Sequence, residues 1–386
     1  MTRTEKLLSE LIALPSVNPG FAPASTLADG ASAWPQRQLY GEKNVGGFLA
    51  AKGAKSGLEI EFQKVLPERS NLIARLLPTN RIKQTILLVP HLDTVGAPDA
   101  MFVPRHKNGR IYGRGACDTK GSVAAMMTAL CELAESKSRP LTTQIIFAGM
   151  VDEEHAQSGS RALAASGLKA DLAIVGEPTN VKVVTAHKGS LWLQIATRGR
   201  AAHGATPEFG KNAVHEMARV VDVLETEYAA QLRKRKHKLL GTATVNVGTI
   251  SGGTQPNIVP AACTITVDRR TLPGETDALV FREINALLRK RGLQAKLSNT
   301  KVAPAPAMET SPNLPLVRQF FATIGQKKAE GVVYFCDAAV LAAGGIPSIL
   351  FGPGDIGQAH TADEWLSLAQ LERAKNSLLK FLKSLS

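Results

Sequence analysis

Three adjacent carboxylates end an apolar segment of this sequence. Asp152, Glu153 and Glu154 follow directly on the run from Phe147 to Val151. Like charges at this spacing repel one another, and burying any of them is unfavourable unless a cation lies near. One interpretation is a solvated acidic turn, because strand ends commonly lie in exposed loops. The other is a cation site, which requires further ligand-type residues at the ends of other strands.

Other apolar segments end in residues of the same kind. The segment TILLVP runs into His91 and Asp93, which lie two residues apart and would project to the same side of an extended chain. A neutral imidazole binds Zn²⁺, and a carboxylate on its other ring nitrogen orients it. Glu177 ends the segment DLAIVG, and His360 lies in a glycine-rich loop after the last apolar run.

A further candidate, Asp118, lies in the glycine-rich stretch YGRGACDTKG, directly before a helical pattern that begins near Gly121. Aspartate at such a position commonly caps a helix. Glycine neighbours would, alternatively, let the backbone approach a metal site closely. In open α/β sheets such sites gather outside the carboxyl ends of the strands. Histidines and carboxylates in this number would supply enough ligands for two Zn²⁺ ions that share one bridging carboxylate.

The segments that must position these residues alternate between strands and helices. TILLVP, TTQIIFAGM, DLAIVG and GIPSILFG are near-continuous apolar runs, typical of a sheet covered by helices on both faces. Residues 185–301 instead follow the order strand, helix, strand, strand, helix, strand, which indicates a small α+β domain with an antiparallel sheet. We therefore predict an α/β catalytic domain from residues 1–184 and 302–386, with a mixed sheet between helices and an α+β domain inserted at 185–301.

The composition is that of a globular protein, with 44% hydrophobic and 20% charged residues among 386. Such a length favours two domains. The sequence has neither a long apolar run nor a signal-peptide pattern, so we expect a cytoplasmic protein with no membrane association. The net charge of +13 suggests nucleic-acid binding, but aromatic residues make up only 5% and offer no stacking platform. We expect no nucleic-acid partner. The four cysteines lack a CxxC pair, which predicts buried reduced thiols.

Five segments, in order along the chain, resemble signature segments of one metalloenzyme family: VPHLDTV, GRGACDTKG, VDEEHAQSGS, VGEPT and GPGDIGQAH. The family contains acetylornithine deacetylase, succinyl-diaminopimelate desuccinylase, aminoacylase and certain glutamate-releasing carboxypeptidases. The resemblance implies a zinc-peptidase-like catalytic domain, a ferredoxin-like lid and dimerisation domain, and hydrolysis of the amide bond of an N-acyl amino acid. VGEPT and GPGDIGQAHTADEW are most similar to the acetylornithine deacetylase branch. A desuccinylase and a dipeptidase or carboxypeptidase stay open as alternatives.

The resemblance also implies roles for the candidate residues. Glu153 corresponds to the family's general base, and Asp93 to the carboxylate that orients His91. The bond between Asp118 and Thr119 corresponds to a cis peptide. The implied cofactor is a pair of Zn²⁺ ions, for which Co²⁺ can substitute. The implied ligands are His91 and Glu177 for one ion and Glu154 and His360 for the other, with Asp118 bridging both.

Residues of the inserted domain extend the resemblance. His203, in AAHGATP, corresponds to a histidine that polarises the scissile carbonyl from the partner subunit, which implies a homodimer; by itself it is equally typical of a surface loop. Asn257 and Arg270 correspond to residues that hold the substrate's α-carboxylate, a group that a guanidinium fork suits, although most arginines lie on the surface. Two features depart from the family: His155 replaces a commonly small, polar or acidic residue, and the insert Gly20–Asn44 is expected as a loop near the site rim.

Overall fold

A computed structural model describes residues 1–22, 39–301 and 303–386. The central part of the predicted early insert, residues 23–38, lies outside this description. The chain forms two compact units, and the second extends beyond Lys301, where we placed the end of the insertion. It does so because Met308 pairs with His187 and the Ala305 carbonyl accepts the N–H of Ser190. Unit 1 comprises Met1–Thr185, Thr310–Glu330 and Cys336–Ser386, and unit 2 comprises Ala186–Glu309 and Gly331–Phe335.

The elements of the described residues are numbered here in chain order. The α-helices are α1 (Arg3–Ile12), α2 (Lys43–Lys55), α3 (Lys120–Ala134), α4 (Ser158–Ala165), α5 (Ala213–Val223), α6 (Ala229–Arg233), α7 (Asp277–Lys290), α8 (Pro315–Ile324), α9 (Ala338–Ala343) and α10 (Leu368–Lys383). The strands up to residue 200 are β1 (Glu59–Leu66), β2 (Arg69–Leu76), β3 (Gln84–Val89), β4 (Arg105–Lys107), β5 (Arg110–Tyr112), β6 (Thr143–Gly149), β7 (Leu172–Val175), β8 (Val184–His187) and β9 (Gly189–Arg198). The later strands are β10 (Lys236–His237), β11 (Gly241–Thr242), β12 (Thr244–Gly252), β13 (Ala262–Thr271), β14 (Lys296–Asn299), β15 (Met308–Glu309), β16 (Glu330–Val332), β17 (Ser348–Leu350) and β18 (Trp365–Ser367).

Unit 1 is built on a mixed sheet with the strand order β1-β2-β6-β3-β7-β17-β8. Strands β3, β6, β7 and β17 run parallel to one another, whereas β1, β2 and β8 pair antiparallel with their neighbours. The central strands are apolar throughout because both of their faces are covered. On β3, for example, Ile86, Leu87 and Leu88 are all fully buried.

Helices cover the unit 1 sheet. Helices α1 and α10 both contact α3, and their apolar faces join Ile86 and Leu88 of β3 in one hydrophobic core. Side chains alternate along a strand, so Leu87 and Val89 face the opposite side, where α9 packs against α4 and β17. A small antiparallel sheet of β4, β5 and β18 completes the unit and brings Trp365 opposite Tyr112.

Unit 2 has an antiparallel sheet with the strand order β12-β13-β9-β14. Its chain order of strand, helix, strand, strand, helix, strand is the split βαβ arrangement of ferredoxin-like folds. Alternation along β9 explains the packing: Leu191, Leu193 and Ile195 are buried, whereas Trp192 and Gln194 are exposed. The buried face meets apolar residues of α5 and α7 in a separate hydrophobic core.

The cysteines and the helix lengths bear on two predictions from the sequence. Cys117, Cys131, Cys263 and Cys336 are all buried. Among the described residues, the helices are either too short or too polar for a membrane-spanning segment.

Candidate metal centre and active site

The strand register of unit 1 brings the candidate residues to one edge of the sheet. Leu88 of β3 lies opposite Phe147 of β6 and Ile174 of β7, so the three parallel strands end at the same level. Beyond them, His91 forms a parallel bridge with Met150. The segments that carry His91, the acidic turn after Met150 and Glu177 therefore leave the sheet side by side.

His91, Asp118 and Glu154 form a cluster whose potential ligand atoms all lie within 4.8 Å of one another. The Nε2 atom of His91 is 3.1 Å from Oδ1 of Asp118. On the other side, Nε2 of His360 is 3.4 Å from Oδ2 of Asp118 and 3.1 Å from Oε2 of Glu154. The Asp118 carboxylate thus presents one oxygen to each histidine. We name His91, Asp118, Glu154, Glu177 and His360 together the acidic cluster.

Asp118 does not cap the helix that follows it. The N-cap residue of α3 is Thr119, and the Asp118 carboxylate is engaged with the two histidines instead. The peptide bond between Asp118 and Thr119 is cis, as the resemblance implied. The two histidines hold the pKa of Asp118 below its ordinary value although burial alone would raise it.

Asp93 connects the His91 ring with the acidic turn. It is completely buried, and Nδ1 of His91 lies 3.0 Å from the Asp93 carbonyl oxygen and 3.4 Å from its Oδ1 atom. Its two carboxylate oxygens accept the backbone N–H groups of Glu153 and Glu154 at 3.2 and 3.1 Å. Asn18 Nδ2 also donates to Asp93, at 2.7 Å. Burial would raise the pKa of Asp93, but hydrogen bonding to His91 lowers it, so this carboxylate stays charged beside the imidazole.

Three glutamates at this edge of the sheet, Glu153, Glu154 and Glu177, carry raised pKa values. Burial raises the pKa of Glu153 well above its ordinary value, and the charges of Asp337 and Glu177 add to the shift against the opposing effect of His91. Burial raises the pKa of Glu177 and of Glu154 in the same way. The side chain of Glu154 is only 7% exposed, so the interpretation of the segment as a solvated acidic turn is wrong. So many buried carboxyl groups in one place favour a bound cation.

Asp152, the first of the three carboxylates, has a different environment. Its Oδ1 atom accepts hydrogen bonds from Nη1 of Arg69 at 3.1 Å and from Nδ2 of Asn18 at 3.0 Å. The Nε atom of Arg69 also donates to Glu42 at 2.9 Å, and Glu42 accepts the backbone N–H of Asp152. The turn is therefore held at Asp152 by an ion-paired network with Arg69 and Glu42. Asn18 links this network to Asp93.

Sequence reasoning missed several residues of this site. Arg69 lies on β2, and Glu42 at the end of the early insert, where no spacing pattern relates them to Asp152. Glu364 was also missed: it is completely buried and accepts the backbone N–H of Asp118 at 3.0 Å. Its only sequence signal was its place four residues after His360, within the quoted segment GPGDIGQAHTADEW.

His155 packs against the beginning of the early insert. Its ring lies edge-on to Phe21, with 6.4 Å between the ring centroids. A Cβ atom on Gly20 would lie 2.7 Å from Cδ2 of His155, so any other residue at this position would displace the ring. The two departures from the family pattern are therefore in direct contact.

Within unit 2, His203 and Asn257 lie on adjacent segments. His203 is exposed and forms a backbone bridge with Ile258, and the N–H of Gly204 donates to the Asn257 carbonyl at 2.7 Å. A cavity of about 510 Å³ is lined by Gly204 and the segment that precedes Ile258. The structure describes this region within its own unit, and the substrate roles of His203 and Asn257 stay predictions.

The two neighbouring arginines of unit 2 differ in their surroundings. The Arg269 side chain is fully buried, and its Nη2 atom is 2.9 Å from both carboxylate oxygens of Glu275. Arg270 is about one third exposed and pairs with Asp268 at 2.9 Å. Arg269 is therefore structural, and Arg270 is the one of the pair that a ligand could approach.

Sequence comparison with known proteins supports a metal-dependent enzyme, as the geometry of the site does. The model of peptidase family M20/M25/M40 matches residues 87–384. The acetylornithine deacetylase of Myxococcus xanthus is 31% identical over 347 residues, which cover 86% of this chain and 90% of that protein. The acetylornithine deacetylase of Proteus mirabilis is 30% identical over 344 residues, which cover 85% of this chain and 86% of that protein.

Solved structures show the same fold. Aminopeptidase PepT of Bacillus cereus matches with a TM-score of 0.78 and 21% identity, over 99% of this chain and 97% of that one. The YXEP protein of Bacillus subtilis, a dinuclear metal-binding peptidase of the M20 family, matches with a TM-score of 0.70 and 13% identity over 99% and 97%. The prediction of an α/β fold with a mixed sheet is confirmed. The chain therefore belongs to peptidase family M20/M25/M40, and it is a metal-dependent enzyme that hydrolyses amide bonds.

Proposed function

We propose that the protein removes the acyl group from an N-acyl amino acid, as an acetylornithine deacetylase does. The observation that carries this proposal is that His91, Asp118 and Glu154 of the acidic cluster present ligand atoms within 4.8 Å of one another, in a chain 31% identical to a protein of that name. The substrate would be a small N-acyl amino acid, and the bond that breaks is its amide.

The donor set of the acidic cluster fits two divalent cations. Its potential ligand atoms are imidazole nitrogens and carboxylate oxygens, the set that zinc uses in catalytic sites. Buried carboxyl groups with raised pKa values also need a counter-charge. We propose Zn²⁺, with Co²⁺ as a functional substitute, held by His91, Asp118, Glu154, Glu177 and His360. Bound there, the ions would polarise the scissile carbonyl and lower the pKa of the attacking water.

Glu153 would act as the general base. Its backbone N–H donates to Asp93, which fixes the backbone of the turn beside the cluster, and Glu154 would serve as a ligand. Glu153 is partly buried beside His91 and Glu177, whose charges both act on its carboxyl group, so its side chain lies at the acidic cluster where the attacking water would be activated. Glu153 would take the proton of the attacking water and later pass it to the leaving amine. Asp93 would keep His91 in the orientation and tautomer that ligation needs.

The remaining proposals rest on sequence resemblance. His203 would donate a hydrogen bond to the scissile carbonyl, and Asn257 and Arg270 would hold the substrate's carboxylate. The protein would be a cytoplasmic homodimer that associates through the inserted domain.

A peptidase is the second candidate. The similarity to the fold of aminopeptidase PepT supports it, because a peptide bond is itself an amide bond that the same metal site could hydrolyse. Succinyl-diaminopimelate desuccinylase activity is a further alternative within the family.

A substrate panel with added Zn²⁺ or Co²⁺ tests the proposal. The purified protein is assayed with N-acetyl and N-succinyl amino acids and with dipeptides, and kcat/KM is compared. N-acetyl amino acids with a basic or polar side chain should give the highest kcat/KM. A higher value for dipeptides would replace the deacylase with the peptidase alternative, and a higher value for N-succinyl substrates with the desuccinylase.

A further inference from the structure

The carboxylate of Glu364 is enclosed by one short loop of unit 1. Its Oε2 atom accepts hydrogen bonds from Nη1 of Arg114 at 2.7 Å and from the N–H of Gly115 at 3.0 Å. Its Oε1 atom accepts the N–H groups of Cys117 at 2.8 Å and Asp118 at 3.0 Å. Glu364 is completely buried and Arg114 is 4% exposed. Four donors to one buried carboxylate fix the loop that carries Asp118.

The backbone around Glu364 makes a second set of contacts with the same loop. The Glu364 carbonyl accepts the N–H of Gly113 at 3.0 Å, and the Thr361 carbonyl accepts Nη2 of Arg114 at 3.2 Å. Directly after Glu364, strand β18 pairs with β5. The segment that follows His360 is therefore tied to the segment that precedes Asp118.

These contacts connect the two segments that carry the proposed metal ligands Asp118 and His360. His360 and Asp118 belong to distant parts of the sequence, yet Nε2 of His360 lies 3.4 Å from Oδ2 of Asp118. We propose that Glu364 is a positioning residue that holds Asp118 and His360 in register and thereby sets the metal affinity of the site. The inference rests on the proposed function, in which both residues bind metal. Glu364 is not one of the proposed ligands, because Arg114 and three backbone N–H groups occupy both of its carboxylate oxygens.

The expected size of the effect follows from the hydrogen bonds. Bonds to an ionised acceptor are stronger than neutral ones. A Glu364→Gln side chain keeps the shape but replaces one acceptor oxygen with an NH₂ group, which must face two N–H donors. Loss of residues that orient metal ligands weakens metal binding by about 10- to 100-fold. We expect a loss of zinc affinity in this range for Glu364→Gln.

The test measures zinc affinity by competition with a chromogenic chelator in wild type, Glu364→Gln and a control. The control is Glu275→Gln in unit 2, because Glu275 also accepts hydrogen bonds from a buried arginine, Arg269, and from a backbone N–H, that of Leu272. Zinc affinity should fall in Glu364→Gln and stay at the wild-type value in the control. The turnover of Glu364→Gln should rise as zinc is added, with KM unchanged.

Thermal melting of chelator-treated protein separates a general loss of stability from a loss of positioning. A Glu364→Gln variant that melts earlier but binds zinc as wild type does would overturn the inference. If that variant does not fold, Arg114→Lys replaces it. Arginine reaches Glu364 and Thr361 with two nitrogens of one planar group, whereas lysine has a single nitrogen without this fixed geometry, so a smaller loss of zinc affinity is expected. A folded Arg114→Lys variant with wild-type zinc affinity then overturns the inference.

The outcomes also distinguish this inference from the proposed function. Wild-type protein that binds zinc but hydrolyses no member of the substrate panel would refute the proposed function, while the zinc affinity of Glu364→Gln still decides the positioning role. Wild-type protein that binds no divalent metal would refute both.

Discussion

The Nε2 atom of His360 lies 3.1 Å from Oε2 of Glu154, although 206 positions separate the two residues in the chain. The carboxylate of Glu154 thereby contacts His360, and it also presents a ligand atom within 4.8 Å of those of His91 and Asp118. Its neighbour Glu153 shares the same backbone support, since both N–H groups donate to Asp93. One rigid turn thus carries two glutamates with different assignments, and the difference can be measured.

Glu153→Gln should separate turnover from metal binding. We expect zinc content close to wild type and a kcat lower by about a hundredfold or more, the scale of a lost general base. Glu154→Gln should lose zinc, because it removes a proposed ligand. Zinc per chain is measured by atomic emission beside the kinetics. Equal zinc loss in both variants, with the turnover of Glu153→Gln nearly unchanged, would show that the two roles are assigned wrongly.

Metal removal should abolish activity reversibly. The proposed ligands are nitrogen and oxygen donors that hold metal only when deprotonated, so an exhaustive chelator should leave inactive protein that Zn²⁺ or Co²⁺ restores. Titration of the chelated protein should reach full activity at about two ions per chain. Hydrolysis that persists after chelation, with metal content verified as zero, is incompatible with the proposed mechanism.

Arg69→Met should lower the free energy of unfolding, because it leaves two buried carboxylates without their cationic partner. The Arg69 side chain is 12% exposed and contacts Glu42 and Asp152, which are nearly inaccessible. Removing one partner of a buried ion pair lowers the free energy of unfolding by about 3–5 kcal/mol. Arg75→Met on the same strand is the matched control: its partner Glu61 is 56% exposed, so a loss of about 0–1 kcal/mol is expected. Urea unfolding measures the free energy of unfolding of both variants. An equal decrease in Arg69→Met and Arg75→Met would contradict a stabilising role of the buried network.

His187 should make stability depend on pH in the acidic range. It is completely buried, and burial lowers its pKa from 6.5 to about 4. The unfolded chain therefore binds a proton that the folded chain does not between these values, so the free energy of unfolding falls as pH drops from 6.5 towards 4. His187→Phe should flatten this decline by up to about 1.4 kcal/mol per pH unit. His215→Gln is the control, because His215 is exposed. If the free energy of unfolding changes with pH equally in wild type and in His187→Phe, the prediction is refuted.

Subunit mixing tests whether His203 acts across a dimer. His203→Ala and Glu153→Ala homodimers should each be inactive, because each lacks one group in every site. If His203 serves the neighbouring subunit, a mixed dimer contains one site with both groups intact. Mixing the variants should then restore part of the activity after subunit exchange, which fluorescence energy transfer between labelled chains verifies. Verified exchange without recovery, or a fully active monomer in sedimentation, would show that His203 does not act in trans.

Much of the fold and the edge of the sheet that carries the site could be predicted from the sequence. Apolar strands end directly at His91, at the acidic turn and at Glu177, and parallel strands in one sheet end at one edge. This local pattern is sufficient because strand length and direction place the residue that follows each strand. The order of strands and helices in residues 185–301 likewise predicted the α+β domain with an antiparallel sheet.

The sequence alone determined the candidate ligands, because residue type and strand end are local properties that a chain displays without folding. Tertiary structure decided how the three adjacent carboxylates divide: Asp152 binds Arg69, Glu153 and Glu154 are held by Asp93, and only Glu154 meets His360. It also decided that Glu364 encloses the Asp118 loop. These are side-chain hydrogen bonds between residues far apart in the chain, and they have no periodicity in the sequence because packing alone brings their partners together.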